Sequence, residues 1–357
     1  MSELLTLSKN SPEFESYLLG TFASDKRALP VQTLNVNSAL ETVTFKIVSL
    51  NELPQPARFL IFLKTLKVRS FLLILVPLFI ILTKNISDAT IKDPIATCIA
   101  TIGVIFAFLA MNLRNDFMDH MKGVDRVFEK SGSRAIQNGW VRAITVKKLS
   151  SWFLFLSFLM AIPLVYAYPL LGGVIALAAL VGFWAQFKKR NSFKYQRGGE
   201  LSLFLLLGPL LTVGYQLSMG APFDMESFWV GCVYGWLVLF VVHLKNFSNI
   251  LPSVQAGFSN TVNWLGFDNT RRLLAAWWGL FMVFNVIYHF RFAGLYWGFY
   301  LALGLALVSL RFIARLKAIS SPAGSDMRDI LRRGFVLYLI AISLWIFECI
   351  WYLYLWT

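Results

Sequence analysis

The chain has 357 residues, of which 57% are hydrophobic and only 15% charged, with 32 Phe and 12 Trp. A water-soluble domain of that length cannot enclose so much apolar surface, so composition excludes a soluble enzyme and indicates a polytopic membrane protein. The formal net charge of +14 raises the question of nucleic acid, and the placement of the bases answers it in the negative.

Taken in chain order, residues 1–56 are polar, lack a basic-then-apolar leader pattern, and contain no run able to span a bilayer. They are expected to form a cytoplasmic extension, partly ordered at best, with no legible role. Within them Val43 to Leu50 alternates weakly, as a strand would. Pro56 to Ser70 has apolar residues at helical spacing with Arg58, Lys64, Lys67 and Arg69 interleaved. It suits a helix lying in the membrane interface, or else the start of the first span with its bases snorkelling outward.

Crossing about 30 Å of hydrocarbon takes roughly 20 apolar residues in a helix. Nine segments qualify, at 68–84, 95–112, 150–167, 169–187, 201–219, 227–244, 273–290, 294–313 and 333–356. Their unbroken apolar character favours helices over a barrel, so the expected fold is an all-α bundle around a central cavity open to the cytoplasmic side. The loops after the second, fourth, sixth and eighth spans carry nearly all the bases, including Arg134, Lys147, Lys188, Lys194, Arg272 and Arg315; the opposite loops carry Lys84, Lys92 and Arg291. That asymmetry places the N-terminus and the basic loops in the cytoplasm of an inner or plasma membrane. The partner it implies is the lipid bilayer, not nucleic acid. Cys98, Cys232 and Cys349 lie singly in apolar segments and read as packing residues. Gly294 to Gly298 is a GxxxG pattern that marks close helix packing. No oligomeric state is legible.

One charged stretch stands out. The uncharged run Ile95 to Ala110 leads directly into "MNLRNDFMDHMKGVDR". Asn112, Asp116 and Asp119 stand at i, i+4 and i+7, on one helix face. Asp125 follows Gly123, which can turn the chain back. Converging oxygen ligands suit a hard cation, Mg²⁺ above all, which takes one or two carboxylates plus substrate phosphate oxygens. The bland alternative is a solvated helix end neutralised by Arg114, Lys122 and Arg126. Arg134, after a Ser-Gly-Ser turn, offers a donor fork that fits phosphate. Lys194 and Tyr195 stand on the next cytoplasmic loop and Glu200 opens the helix after it. Carboxylates, metal and bases at the mouth of an apolar bundle describe a site for a diphosphate with an apolar tail.

These motifs resemble those of the UbiA-type intramembrane prenyltransferases. "NLRNDFMDHMKGVD" is similar to the pattern NLxNDxxDxxxGxD of the branch acting on 1,4-dihydroxy-2-naphthoate, and "SRAIQNG" and "KYQRGGE" look like that branch's later stretches. The likeness covers residues 57–357, leaving 1–56 outside it. It implies a nine-helix, Mg²⁺-dependent transferase moving an isoprenyl chain from a polyprenyl diphosphate to an aromatic or quinone-precursor acceptor, as in menaquinone-type biosynthesis. Asp116 and Asp119 would be catalytic, holding the metal with Asn112 and Asp125. Lys122, Arg134, Lys194 and Tyr195 would bind the diphosphate.

The chain departs from the family at its second Asp-rich motif. There it reads "KNFSNILPSVQAGF", with Asn246 at the Asn pair and Asn249 and Ser253 at the two Asp positions. Asp268 is a distant stand-in. The loss motivates a competing reading, a non-catalytic or altered relative that binds prenyl diphosphate or quinone. A transporter would place its charges near mid-membrane, whereas these gather at one mouth.

Overall fold

The computed structural model describes residues 3–127, 132–187, 196–255, 257, 259–293, 296–323 and 326–356. In chain order the elements are β1 (Glu3–Ser8), α1 (Phe14–Leu19), β2 (Lys26–Leu34), β3 (Thr42–Ser49), α2 (Arg58–Thr65), α3 (Leu72–Ser87), α4 (Pro94–Met121), α5 (Val124–Val127), α6 (Ala143–Ala167) and α7 (Pro169–Gly182). There follow α8 (Leu201–Leu207), α9 (Pro209–Ser218), α10 (Met225–Ser248), α11 (Ile250–Gln255), α12 (Thr261–Tyr288), α13 (Tyr296–Ala318) and α14 (Asp326–Trp356). Among the described residues seven helical segments are long and apolar enough to cross a membrane, and Leu72–Ser87 and Pro169–Ala185 are shorter apolar helices. Trp152, Phe155, Ile162 and Tyr166 of α6 are exposed, as apolar side chains facing lipid are. The chain is an integral membrane protein.

It divides into two compact units. The first comprises Met1–Phe71, Phe106–Ser157 and Leu251–Phe258; the second comprises Leu72–Ile105, Phe158–Ile250 and Ser259–Thr357.

In the first unit the N-terminal residues, expected to be partly ordered at best, form an antiparallel sheet of order β1-β3-β2. The strand anticipated at 43–50 is its centre. Val43, Phe45 and Ile47 point to one face and are buried with Phe14 and Leu18 of α1, while Lys46 between them is exposed. The alternation is the two-residue period of a strand, weakened because Val48 on the other face is buried as well. Met121, at the end of α4, packs on the same cluster. Further ties hold the sheet to the loop after α4. Arg142 donates to the carbonyls of Ala23 and Ser24, and the Trp140 indole N–H donates to that of Pro54. Gly139 lies where a Cβ would meet Leu29 at 2.7 Å.

The start and stop of α4 are written in its sequence. Asp93 Oδ1 accepts the Ala96 N–H at 2.8 Å and Pro94 takes the first helical position, where its missing N–H costs nothing. At the other end Gly123 adopts φ 78° and its N–H returns to the His120 carbonyl, the left-handed glycine stop that frees the chain to reverse.

In the second unit α10 is the most enclosed of the described spanning helices. Tyr234, Phe240 and Phe247 are fully buried on it, as are Trp278 and Phe281 of α12. Close approach is made by glycine. A Cβ on Gly231 would lie 2.6 Å from Pro209 Cα, and one on Gly235 2.6 Å from the Phe204 ring. Gly231 and Gly235 are thus a second GxxxG pair, besides Gly294 to Gly298, that brings helices close. Gly298 is also crowded, against His289, and Gly294 lies outside the described residues.

Candidate functional site

The acidic row of α4 is buried. Asp116, Asp119 and Asp125 are 3%, 5% and 2% exposed, so they are not the solvated helix end of the bland alternative. Two of the three bases proposed to neutralise them are engaged elsewhere. Arg126 pairs with Glu41 at 2.6 Å, both side chains withdrawn from solvent, and the Arg114 guanidinium stands 5.5 Å from the centre of the Phe117 ring. The counter-charge comes from Lys67, whose ammonium forms an ion pair with Asp116 Oδ1. Burial works against the Lys67 charge, yet attraction from Asp116, joined by Asp119 and Asp125, outweighs it and raises the Lys67 pKa above its ordinary value. Lys67 sits just past α2 with φ 53°, a left-handed kink that no sequence signal announced.

Asn112 donates its amide N–H to the Ser70 hydroxyl at 3.1 Å. Asp119 lies one turn beyond Asp116, and Lys122 is in the turn leading to Gly123. Arg134, also left-handed at φ 59°, donates to the Asp125 carbonyl at 2.6 Å. The Cβ position of Gly132 would be 3.1 Å from Asp125 Oδ1 and 3.5 Å from Asp116 Oδ1, so the two carboxylates flank one residue that has no side chain to separate them. Gln137 donates to Asp125 Oδ2 at 3.1 Å and its amide also meets His120 Nδ1 at 3.3 Å. Lys67, Gln137 and His120 are the members that sequence reasoning missed. Lys67 read as one of several interfacial bases, and Gln137, though inside the quoted stretch "SRAIQNG", carries no charge to mark it as part of the site.

The donor set bears on a metal. Among the described residues no three Asp, Glu, His or Cys side chains are grouped closely enough to hold an ion by themselves. Asp116 Oδ2 is buried and accepts no hydrogen bond from the described residues, a charge-bearing atom that a hard cation would satisfy. The residues therefore fit a Mg²⁺ ion that takes one or two carboxylates here and its other ligands from water and substrate phosphate, not a preformed metal cage.

The remaining expected residues fall elsewhere. Lys194 and Tyr195 lie outside the described residues. In the second unit the Asn246 amide donates to Glu200 Oε1 at 3.1 Å, and the Thr261 hydroxyl donates to Glu200 Oε2. Asn249 closes the C-terminal end of α10. Ser253, on α11, belongs to the first unit and is 3% exposed. Asp268 is on the surface of α12, paired with Arg271 at 3.0 Å. The second unit also holds a cavity of about 90 Å³ lined by Thr83, Lys84, Asp88, Glu226, Tyr288 and Glu348 among others. Its charges close on one another: Lys84 meets Asp88, Asp224 and Glu226, and Glu348 meets His289 at 2.8 Å.

No family model matches the sequence, and no curated protein matches it either. Solved structures do. A UbiA homolog from Archaeoglobus fulgidus bound to GPP and Mg²⁺ aligns with a TM-score of 0.56 at 14% identity, covering 81% of this chain and 99% of that one. The same homolog bound to DMAPP and Mg²⁺ gives the same TM-score and identity. A structure of digeranylgeranylglyceryl phosphate synthase aligns with a TM-score of 0.57 at 15% identity, covering 82% of this chain and 98% of that one. At such identities the likeness is one of fold.

Proposed function

We propose that this chain is a Mg²⁺-dependent membrane prenyltransferase of the UbiA type, transferring an isoprenyl chain from a polyprenyl diphosphate to an aromatic or quinone-precursor acceptor of the menaquinone kind. The observation that carries the reading is the buried group of Asp116, Asp119 and Asp125 with Lys67 and Arg134 at the end of a long apolar helix. A fold shared with structures bound to prenyl diphosphates and Mg²⁺ supports it. We take all nine apolar segments as spans, residues 57–357 as the transferase domain, and the site as cytoplasmic, on the strength of the base distribution.

In this reading Asp116 and Asp119 hold the metal, with Asn112 and Asp125 in support. When bound, Mg²⁺ supplies charge neutralisation for the departing pyrophosphate. Lys67 can exchange the Asp116 carboxylate for diphosphate oxygens, and Arg134 and Lys122 add donors from the following turn, with Lys194 and Tyr195 assigned to the same task. The C–O bond of the allylic ester breaks with its electron pair on pyrophosphate. The freed carbon bonds to the ring of the acceptor, which then loses a proton. The apolar segments keep water from the electron-poor carbon.

Membranes carrying the protein, given labelled geranylgeranyl diphosphate, dihydroxynaphthoate and Mg²⁺, should yield a labelled lipid-soluble product. Equal product from an Asp116→Asn variant would defeat the proposal. A second reading, a relative that binds prenyl diphosphate or quinone without transfer, is favoured by one observation: Asn249 and Ser253 stand where the family has carboxylates.

A further inference from the structure

Resting on that reading, we propose that Gln137 and His120 are positioning residues for Asp125, and that through them the N-terminal sheet is a working part of the carboxylate site. The geometry is a single hydrogen-bonded series within the first unit. His120 Nε2 lies 2.9 Å from the Leu18 carbonyl. A carbonyl can only accept, so Nε2 carries a proton, and in the neutral imidazole Nδ1 then presents a lone pair. Gln137 Nε2 then gives one N–H to His120 Nδ1 at 3.3 Å and the other to Asp125 Oδ2 at 3.1 Å. With the amide reversed, its oxygen would face the imidazole lone pair and the carboxylate together, and both contacts would repel. Imidazole and carboxylate thus select the same end of the amide, and the histidine adds a second anchor for it.

The origin of the series is rigid. Leu18 is 4% exposed, packed with Phe14, Val43, Phe45 and Ile47, and Gly20 in the left-handed region ends α1 just beyond it. His120 and Gln137 are themselves 2% and 8% exposed. A parallel tie fixes the neighbouring residue, since Arg126 pairs with Glu41 on the strand-connecting segment and Lys9 of the loop after β1 meets the same carboxylate at 3.1 Å. The outcome is that Asp125 Oδ2 is pinned while Oδ1 stays beside Gly132, the residue that Asp116 also flanks. A sheet with no chemistry of its own therefore sets the aim of a candidate metal ligand.

Loss of a partner one shell removed from a metal typically weakens affinity about 10–100-fold. The test uses the full-length protein in detergent, with Mn²⁺ titrated alone and read by electron paramagnetic resonance. The volume-conserving Gln137→Met variant should bind Mn²⁺ about tenfold or more weakly, and His120→Phe should weaken it in the same direction. Because the two act in series, the double variant should bind no more weakly than Gln137→Met alone. Raising Mg²⁺ should restore the turnover of Gln137→Met toward wild type, a rescue that misfolding would not allow. Wild-type affinity in both single variants overturns this inference and leaves prenyl transfer standing. A wild-type protein that binds no Mn²⁺, either alone or with geranylgeranyl diphosphate present, overturns the metal reading and this inference with it.

Discussion

Lys67 directs its ammonium into the buried carboxylate of Asp116, the middle member of the row Asn112, Asp116 and Asp119. The lysine belongs to the segment between α2 and α3, far upstream of the helix it neutralises. Replacing it by Met leaves Asp116 to face the low-dielectric interior without that partner, and removes a donor for diphosphate. The Michaelis constant for the prenyl diphosphate should rise about tenfold, equivalent to about 1.4 kcal/mol, as measured by initial rates at saturating acceptor. Because the Lys67 pKa is raised in the folded state, its contribution to stability is complete below the ordinary lysine value and fades as pH climbs through the folded one. Unfolding midpoints attributable to this pair should thus be level from about pH 6 to 9 and fall only in strong alkali, with Lys67→Met abolishing that fall.

Asp116→Asn keeps the shape of the site and removes the charge that both Lys67 and a metal would meet. Turnover should drop at least about a thousandfold, a scale in keeping with the loss of a key electrostatic contact. Product formation in membranes measures it.

Gly132 is held at φ 70° with two carboxylates beside the place a Cβ would take. Gly132→Ala adds a methyl 3.1 Å from Asp125 Oδ1 and costs about 1–2 kcal/mol in left-handed backbone alone. Activity should fall by an order of magnitude or more while the apolar spans still fold, which a comparison of rates with solubilised yield would reveal.

Glu41→Gln leaves Arg126 charged and buried with its ionic partner gone. Breaking a buried pair on one side costs about 3–5 kcal/mol. The thermal midpoint should drop by several degrees, and limited proteolysis should cut the N-terminal residues sooner than in wild type.

The altered second motif is open to repair. If its missing acids limit the rate, Asn249→Asp with Ser253→Asp should increase turnover several-fold at low Mg²⁺. A wild-type enzyme already at ordinary rates, unchanged by the repair, would remove the second functional reading.

Much of this architecture was written locally. The apolar runs had the length and the lack of alternation that only helices in lipid tolerate. Asp93-Pro94 and Gly123 marked the two ends of α4, because a cap and a left-handed stop are made by adjacent residues. The spacing of Asn112, Asp116 and Asp119 followed from the helical repeat alone. Val43 to Leu50 showed its strand faintly, because Val48 on the face opposite Val43, Phe45 and Ile47 is buried as well.

The chemistry of partnership was not local. Three bases beside the acids looked like their counter-ions, yet Arg126 turned to Glu41 and Arg114 to Phe117, and Lys67 came from another segment instead. Residue type and spacing determined where carboxylates would stand on a membrane helix. Which cation neutralises them, which amide aims Asp125, and that the polar N-terminal stretch packs beneath them were decided only by the tertiary structure, because burial and ion pairing depend on which distant segments meet.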